Sequence, residues 1–166
     1  MSSKSTAGAS NQALHAERAR QLPFVSSMPV RFRDMDAMGH VNHAVYFTYM
    51  EVARSEYWFA LTHARSVHDF SFIVLKAECL YRSPAVLGEV VVVKTGITRV
   101  GNTSFTMEYE IREQESNRHL ADGSTELVSY DYRTRKLTRI PDDLRQRIHQ
   151  FQQQLVSGAD SRKPTP

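Results

Sequence analysis

The residues best suited to chemistry lie close together, between positions 31 and 54. Two acids, Asp34 and Asp36, come shortly before Gly39, whose backbone freedom permits a sharp reversal of the chain. Asn42 follows at a favoured N-cap position, just before an amphipathic helical pattern. The first turn of a helix carries unpaired N–H groups and partial positive charge, which stabilise a developing oxyanion. A carboxylate beside such donors is the minimum equipment for acyl transfer.

Two longer patterns contain or follow these residues. The first is D-x-D-x-x-G-H-V-N-x-A-x-Y and then a helix ending near E-x-A-R; its residues are Asp34, Asp36, Gly39, His40, Val41, Asn42, Ala44, Tyr46, Glu51, Ala53 and Arg54. The second is the strand pair GEVVVVKTGITRVGNTSFTMEYEI, from Gly88 to Ile111. In this order and spacing, the stretch from about Met28 to Ile140 resembles a hotdog-fold acyl-CoA thioesterase of the 4-hydroxybenzoyl-CoA thioesterase-like superfamily.

The resemblance implies a role for each residue of the acidic turn. Asp36 matches the catalytic acid, whose carboxylate either attacks the thioester carbonyl or activates a water molecule; the sequence leaves both routes open. The backbone N–H of His43 matches the oxyanion donor. Asn42 is grouped with these catalytic residues as a cap and turn organiser, and Gly39 with the residues beside the substrate. Asp34 is expected to pair with Arg31, Arg33 or another cation, or to support the turn.

The substrate would need an apolar slot for its acyl chain and polar contacts for coenzyme A. Candidates for the slot come from the helix and its far end: Tyr46, Tyr49, Met50, Trp58 and Phe59. Related enzymes use the loop before a Ser-Phe pair for the nucleotide, and in some of them this loop is basic; here only one cation is near it. The residues assigned to coenzyme A are Arg82, Arg99, Gly101, Asn102 and Thr103. A thioester of an acyl-carrier protein is the alternative substrate.

A metal or a cofactor is not expected. His40 and His43 form an H-x-x-H pattern, but a zinc site needs three or four ligands and no further clustered pair supports one. Coenzyme A enters as part of the substrate. Cys79, the one cysteine, lies within an alternating apolar segment with no base beside it, which favours a core position.

The periodicity predicts the elements that hold these residues. A short strand is expected at 30–33, a long helix at 43–63, and strands at 73–81, 90–100, 105–111 and 120–132, with a hairpin turn at Gly101-Asn102. A further helix is expected after Pro141. Odd positions of the 73–81 strand are mostly apolar, which predicts one buried face. The expected fold is α+β: a hotdog fold with a long central helix wrapped by an antiparallel β-sheet, and a short C-terminal helix.

Domain organisation follows from the composition of the two ends. Residues 1–22 are expected to form a flexible leader with a short helix near 11–21, residues 23–156 the hotdog domain, and residues 157–166 a disordered tail. The formal net charge is +3, and most Lys and Arg residues alternate with acids. They do not form the Lys/Arg run that is typical of a nucleic-acid-binding protein. No apolar run is long enough to span a membrane. One cysteine and no signal sequence predict a cytoplasmic protein.

Hydrolysis of an acyl-CoA thioester to free acid and coenzyme A is the favoured activity. A homodimer or tetramer is expected, because related active sites form between protomers and a single copy would leave a long sheet edge unpaired. Two alternatives stay open. One is a non-catalytic acyl-CoA-binding or sensing module. The other is a hydroxyacyl-thioester dehydratase, for which His40 and Glu51 are available although the H-F-P-G segment of that branch is absent.

Overall fold

The computed structural model describes residues 21–63 and 71–160, with side chains through residue 158. Within them, a short strand precedes a 3-10 turn and a long helix, and four longer strands follow before a second helix. In chain order these are β1 (Phe24–Pro29), the 3-10 turn (Phe32–Asp34), α1 (Val45–Thr62), β2 (Phe72–Tyr81), β3 (Val90–Val100), β4 (Ser104–Glu113), β5 (His119–Asp131), β6 (Lys136–Leu137) and α2 (Asp142–Asp160).

The strands form one antiparallel sheet in the order β1-β3-β4-β5-β2, with β6 paired to β5. The predicted hairpin turn joins β3 to β4, and the Gly101 N–H donates to the Ser104 carbonyl at 2.7 Å. A second turn joins β4 to β5, where Asn117 has a positive φ of 54°. These local reversals keep β3, β4 and β5 adjacent, whereas β1 and β2 become the outer strands.

The core lies between α1 and the face of the sheet that α1 covers. Alternate residues of β4, namely Phe105, Met107, Tyr109 and Ile111, are at most 2% exposed, as period two predicts. The buried side of α1 comprises Tyr46, Tyr49, Met50, Ala53, Tyr57, Trp58 and Leu61. This is the apolar stripe of the sequence pattern, so the expected hotdog arrangement of a central helix within an antiparallel sheet is confirmed.

Two boundaries near the acidic turn differ from the prediction. The short strand predicted at 30–33 is wrong: residues 32–34 form a 3-10 turn, and the strand lies earlier, where Met28 pairs with Val91. Pairing with β3 therefore decides where β1 lies. The helix begins at Val45 rather than at residue 43, and it ends before His63, which takes a left-handed conformation with φ 55°.

Strand β2 is the largest departure from the periodicity. Its apolar alternation predicted a buried face, but Val74, Leu75, Leu80 and Tyr81 are all exposed. β2 is an outer strand, and its register with β5 shifts between Val74 and Lys76. Alternation shows which side chains are apolar but not whether another element covers them. Within one chain, nothing among the described residues covers most of β2.

The described structure extends past both predicted ends of the domain. Leu22, assigned to the leader, is 2% exposed, and α2 continues through residues 157–160, assigned to the tail. The helix predicted near 11–21 lies almost entirely outside the described residues. Cys79 is partly buried and packs against the core. None of the described helices is both long and apolar enough to cross a membrane.

Candidate active site

Asp36 lies in a tight reversal between the 3-10 turn and α1. Met35 and Val41 form an isolated antiparallel bridge, and within it the Asp36 N–H donates to the His40 carbonyl at 2.8 Å. Gly39 has φ 79°, a conformation that a residue with a Cβ rarely adopts, and its N–H donates to the Asp36 carbonyl at 3.1 Å. The predicted glycine-dependent reversal is therefore present.

The Asp36 carboxylate is partly exposed, and its two oxygens have different surroundings. Oδ1 accepts the Met38 N–H at 2.8 Å and, over a longer 3.4 Å, the His40 N–H. Oδ2 accepts no hydrogen bond from any residue that the structure describes. One oxygen thus fixes the orientation of the carboxylate, while the other is available to a water molecule or to a carbonyl carbon.

Asp34 is held in quite another way, and it supports the turn. Its Oδ2 accepts the backbone N–H of Arg31 at 2.9 Å, the Arg31 guanidinium at 3.2 Å and the Tyr49 hydroxyl at 3.2 Å. Burial by itself would raise the pKa of Asp34, but the hydrogen bonds and charge of Arg31 and the bond from Tyr49 outweigh it and lower that pKa. The expected arginine pairing is confirmed.

Asn42 organises the turn that precedes α1. Its Oδ1 accepts the Ala44 N–H at 2.9 Å, and its carbonyl accepts the Val45 N–H at 2.9 Å. The N-cap position itself is Ala44, which makes no side-chain capping bond. Asn42 is therefore not the helix N-cap as predicted, because a turn of two further residues separates it from the first helical residue. Its role as a turn organiser holds.

His43 is exposed in that turn, and its N–H donates to no acceptor in residues 21–63 or 71–160. The carbonyl of the same residue accepts the hydroxyl of Tyr81 at 3.0 Å, across 38 positions of sequence. The ring of Tyr81 also packs edge-on against Tyr46, with centroids 5.2 Å apart. The end of β2 thus contacts the start of α1 directly.

The segment 82–89 completes the same end of the molecule. The Val41 N–H donates to the Ala85 carbonyl at 2.8 Å, which joins the acidic turn to this segment. Arg82 donates its backbone N–H to Leu120 and pairs through its guanidinium with Asp122 at 3.1 Å. Arg82 is therefore the predicted coenzyme A ligand that lies at the same end of the sheet as Asp36.

The helical residues assigned to the acyl slot are largely buried within the chain; Trp58 is 2% exposed and Phe59 is half-buried. Tyr46, Tyr49 and Met50 are at most 3% exposed. The Tyr49 hydroxyl donates its hydrogen bond to Asp34. Burial raises the pKa of Tyr49 well above its usual value. Of the three, Met50 borders open space, a cavity of about 300 Å³ between α1 and β2. The other two pack as core residues.

Two cavities lie on either side of Phe47, a residue that the sequence analysis did not select. The smaller is lined by Phe47, Thr48, Met50, Glu51, Arg54, Val74, Ala77 and Thr125. The larger, of about 610 Å³, is lined by Phe47, Ala77, Glu78, Cys79, Leu80, Glu108, Asp122, Gly123 and Ser124. Both are lined by Phe47 of α1 and Ala77 of β2, so each cavity borders both elements. Phe47 follows Tyr46 directly, but its side of the helix could not be assigned without the position of β2.

The remaining predicted coenzyme A ligands lie at the opposite end of the sheet. Val90 follows the segment that contacts the acidic turn, and the eleven-residue strand β3 then carries the chain about 35 Å away before Gly101. Arg99 pairs with Glu126 at 3.4 Å. A single chain therefore does not bring Arg99, or the 101–103 loop, beside Asp36.

The 101–103 loop is moreover bound by its own surroundings. Arg145 of α2 donates to the carbonyls of Gly101 at 2.5 Å and Asn102 at 3.1 Å. The Thr103 carbonyl accepts the Ser129 N–H at 2.8 Å. These bonds attach α2 and β5 to the loop, which gives it a structural role within the chain that the sequence pattern did not indicate.

Tyr81, which contacts the start of α1, was not selected from the sequence, where it is only the last position of a predicted strand. The signal that could have selected it is its place at the end of the predicted 73–81 strand, two residues before the Ser83-Pro84 break, where β2 must end. No group of three or more His, Cys, Asp or Glu side chains in the described ranges is arranged to hold a metal ion.

Comparisons with known proteins identify relatives of this chain. Residues 30–148 match the thioesterase-like superfamily. The long-chain acyl-CoA thioesterase FadM of Escherichia coli is 26% identical over 131 residues, which cover 76% of this chain and 97% of FadM. A thioesterase from Thermus thermophilus, solved with coenzyme A and zinc, is 30% identical with a TM-score of 0.73, and the match covers 80% of this chain and 96% of that one.

A third relative is named for a different acyl group from that of FadM. The 1,4-dihydroxy-2-naphthoyl-CoA thioesterase of Synechocystis is 27% identical with a TM-score of 0.65, over 76% of this chain and 95% of that one. The superfamily match covers the acidic turn, α1 and the whole sheet from β2 onward, and the solved relatives share the arrangement of helix and strands. With this fold and these matches, the chain belongs to the thioesterase-like superfamily.

Proposed function

We propose that this protein hydrolyses acyl-CoA thioesters, with the Asp36 carboxylate as nucleophile or general base and the His43 N–H as oxyanion donor. The observation that carries the proposal is the difference between the two oxygens of Asp36. Oδ1 is fixed by backbone N–H groups and Oδ2 is not bonded within the described chain. A carboxylate that is oriented but only half occupied can react without first breaking its own contacts.

The chemistry can follow two routes from this arrangement. In the first, Asp36 attacks the acyl carbon, the C–S bond breaks, the thiolate of coenzyme A leaves and is protonated, and water then hydrolyses the mixed anhydride. In the second, Asp36 removes a proton from a water molecule whose oxygen attacks the same carbon; the C–S bond then breaks, and the thiolate of coenzyme A leaves and is protonated. In both, negative charge develops on the carbonyl oxygen, and the unbonded N–H of His43 is the donor available to it.

The relatives and the cavities support coenzyme A thioesters as substrates. FadM is named for long-chain acyl-CoA and the Synechocystis enzyme for an aromatic acyl-CoA. The space beside Phe47 and Ala77 accommodates an apolar group next to the start of α1. A thioester of an acyl-carrier protein presents the same reacting carbonyl and is the alternative substrate for the test below.

The assembly proposed for this protein is a homodimer or tetramer. Leu75 is 64% exposed and Leu80 55% exposed on β2, whose outer edge pairs with no strand in the described chain. An exposed apolar strand edge favours pairing with a second copy. Such pairing would also place a second chain beside the cavities that border β2.

Release of free thiol from a panel of acyl-CoA and acyl-carrier-protein thioesters tests the activity. Asp36→Asn keeps an acceptor for the Met38 N–H, so the turn should survive while turnover falls by more than about 100-fold. Asp143→Asn, at an exposed position of α2, is the matched control and should retain wild-type turnover. Undiminished thiol release by Asp36→Asn would remove Asp36 from the mechanism.

Two further outcomes separate the alternatives. Calorimetric binding of acyl-CoA with no thiol release from any thioester would identify a binding module. Loss of water from a hydroxyacyl-CoA, without thiol release, would identify a dehydratase.

Trapping of an acyl group on Asp36 by mass spectrometry would choose the nucleophilic route over the general-base route.

A further inference from the structure

The N–H of His43 belongs to the Asn42–His43 peptide, and hydrogen bonds hold both this peptide and the one that follows it. The Asn42–His43 peptide is held through its carbonyl, which accepts the Val45 N–H at 2.9 Å. The His43–Ala44 peptide is held at both ends, since its N–H donates to Asn42 Oδ1 at 2.9 Å and its carbonyl accepts the Tyr81 hydroxyl at 3.0 Å. Three hydrogen bonds therefore surround one unbonded donor.

We propose that Tyr81 is a positioning residue for the reaction: its hydroxyl fixes the His43–Ala44 peptide and so aims the His43 N–H at the carbonyl oxygen of the thioester. This inference rests on the proposed function, since it assigns a role toward the oxyanion donor of that reaction. Tyr81 itself does not touch the reacting atoms. It acts through the backbone torsions of His43, which link the direction of the carbonyl to that of the N–H.

The position of His43 explains why such a bond is needed. Residues 43 and 44 form a turn before the first residue of α1, and both are exposed to solvent. A backbone donor in an exposed turn loses alignment as the turn fluctuates, and an oxyanion donor is effective only when its direction is fixed before the reaction. Of the three bonds, the one from Tyr81 joins the turn to a residue distant in sequence, on a strand of the sheet.

Tyr81 is well placed to supply that connection. It forms the last register pair of β2 with β5, opposite Ala121, so its backbone belongs to the sheet. Its ring packs edge-on against Tyr46 at 5.2 Å and against the His43 ring at 6.5 Å. Partial desolvation of the hydroxyl and the neighbouring Cys79 raise the pKa of Tyr81 to about 12, so the phenol stays protonated in the neutral range.

Removal of one hydroxyl tests the inference. Tyr81→Phe keeps the ring contacts and loses the bond to His43, and kcat should fall about tenfold with KM changed less than about twofold. The matched control is Tyr132→Phe, because the Tyr132 hydroxyl donates to the Phe72 carbonyl at the same 3.0 Å, at the other end of β2. The control should keep wild-type kcat, although it loses a hydrogen bond of the same kind.

A second measurement reports on the turn without turnover. Hydrogen exchange of the Ala44 amide should accelerate in Tyr81→Phe and stay unchanged in Tyr132→Phe, because only the former bond orients the His43–Ala44 peptide. Equal kcat in wild type and Tyr81→Phe, or equal loss in both Phe variants, would overturn the inference, as would unaltered exchange at Ala44.

The failure of this inference differs from failure of the proposed function. If Asp36→Asn abolishes thiol release but Tyr81→Phe leaves kcat unchanged, the thioesterase function stands and the role of Tyr81 is wrong. If the wild-type protein releases thiol from no thioester in the panel, the proposed function is wrong and the role of Tyr81 in it falls too.

Discussion

The hydroxyl of Tyr49 donates a hydrogen bond to Asp34 Oδ2 at 3.2 Å, inside the core and across 15 positions of sequence. This bond connects the second turn of α1 to the 3-10 turn that begins the acidic segment. Asp34 is 3% exposed, so its charge relies on Tyr49 and on Arg31 for compensation. The first acid of the D-x-D pattern thus positions the loop that presents the second.

Loss of this bond should reduce stability. We expect Tyr49→Phe to lower the free energy of unfolding by about 1 kcal/mol, and Asp34→Ala by about 2 to 3 kcal/mol, because the latter removes an acceptor of three hydrogen bonds. Urea denaturation measures both. Tyr130→Phe is the control, since the Tyr130 hydroxyl makes no hydrogen bond in the part of the chain that the structure describes; a loss as large as that of Tyr49→Phe would contradict this assignment.

Acid should destabilise the protein through the turn between β4 and β5. Hydrogen bonds from the Ser116 hydroxyl and from the N–H groups of Glu115 and Ser116 lower the pKa of Glu113 to about 2. A carboxyl group whose pKa is lower when folded stabilises the protein above its unfolded pKa, about 4.3 for Glu. That contribution is lost as the pH falls from about 4.3 to about 2.

The variant Glu113→Gln should therefore flatten the dependence of the unfolding midpoint on pH within that window. Melting curves recorded between pH 2 and pH 6 measure it. Glu115→Gln removes a charge from the same turn but none of the three bonds, and it is the control. If both variants follow the wild-type curve below pH 4, the hydrogen bonds to Glu113 do not contribute to acid stability.

The exposed edge of β2 makes the assembly testable. A charge at Leu75 would lie on the apolar edge that we assign to the interface, so Leu75→Glu should convert the oligomer to a monomer. Sedimentation velocity measures the change. Leu137 on β6 is similarly exposed, at 60%, and Leu137→Glu should leave the assembly intact. A wild-type monomer at micromolar concentration, or an unchanged Leu75→Glu oligomer, would refute the interface.

Close packing at Gly96 predicts that an added methyl group there lowers the stability of the protein. A Cβ at this position would lie 2.1 Å from the carbonyl oxygen of Gln21, a backbone atom, so Gly96→Ala forces the entry segment away from β3. We expect a loss of about 1 to 3 kcal/mol of stability. At Gly158 a Cβ would meet nothing within 4 Å, and Gly158→Ala in α2 should be neutral or stabilising by up to about 1 kcal/mol. Thermal denaturation compares the two variants, and equal midpoints would contradict the packing at Gly96.

The features of the site that the sequence predicted are local. The positive φ of Gly39 and the turn organised by Asn42 each involve residues within four positions of one another. Such features follow from the conformational limits of individual residues and from short-range hydrogen bonds. The same holds for the alternation in β4 and the apolar stripe of α1, which identify their buried faces without reference to the rest of the chain.

The features that the sequence did not predict depend on which distant segments meet. The buried residues Tyr46 and Tyr49 look like an acyl slot until the structure places them in the core. Arg99 and the 101–103 loop were assigned to coenzyme A, and within one chain the length of β3 separates them from Asp36. The contact between Tyr81 and His43, 38 positions apart, has no sequence pattern of its own.

The sequence by itself determined the turn that carries Asp36, the helix that follows and the family to which the chain belongs, because these depend on residue types at short spacing. Only the tertiary structure decided that β2 is an exposed outer strand, that Asp34 is a buried support, and that Tyr81 reaches the carbonyl of His43. The physical reason is strand order: pairing β2 with β5 brings its end to the start of α1, and no local propensity encodes that pairing.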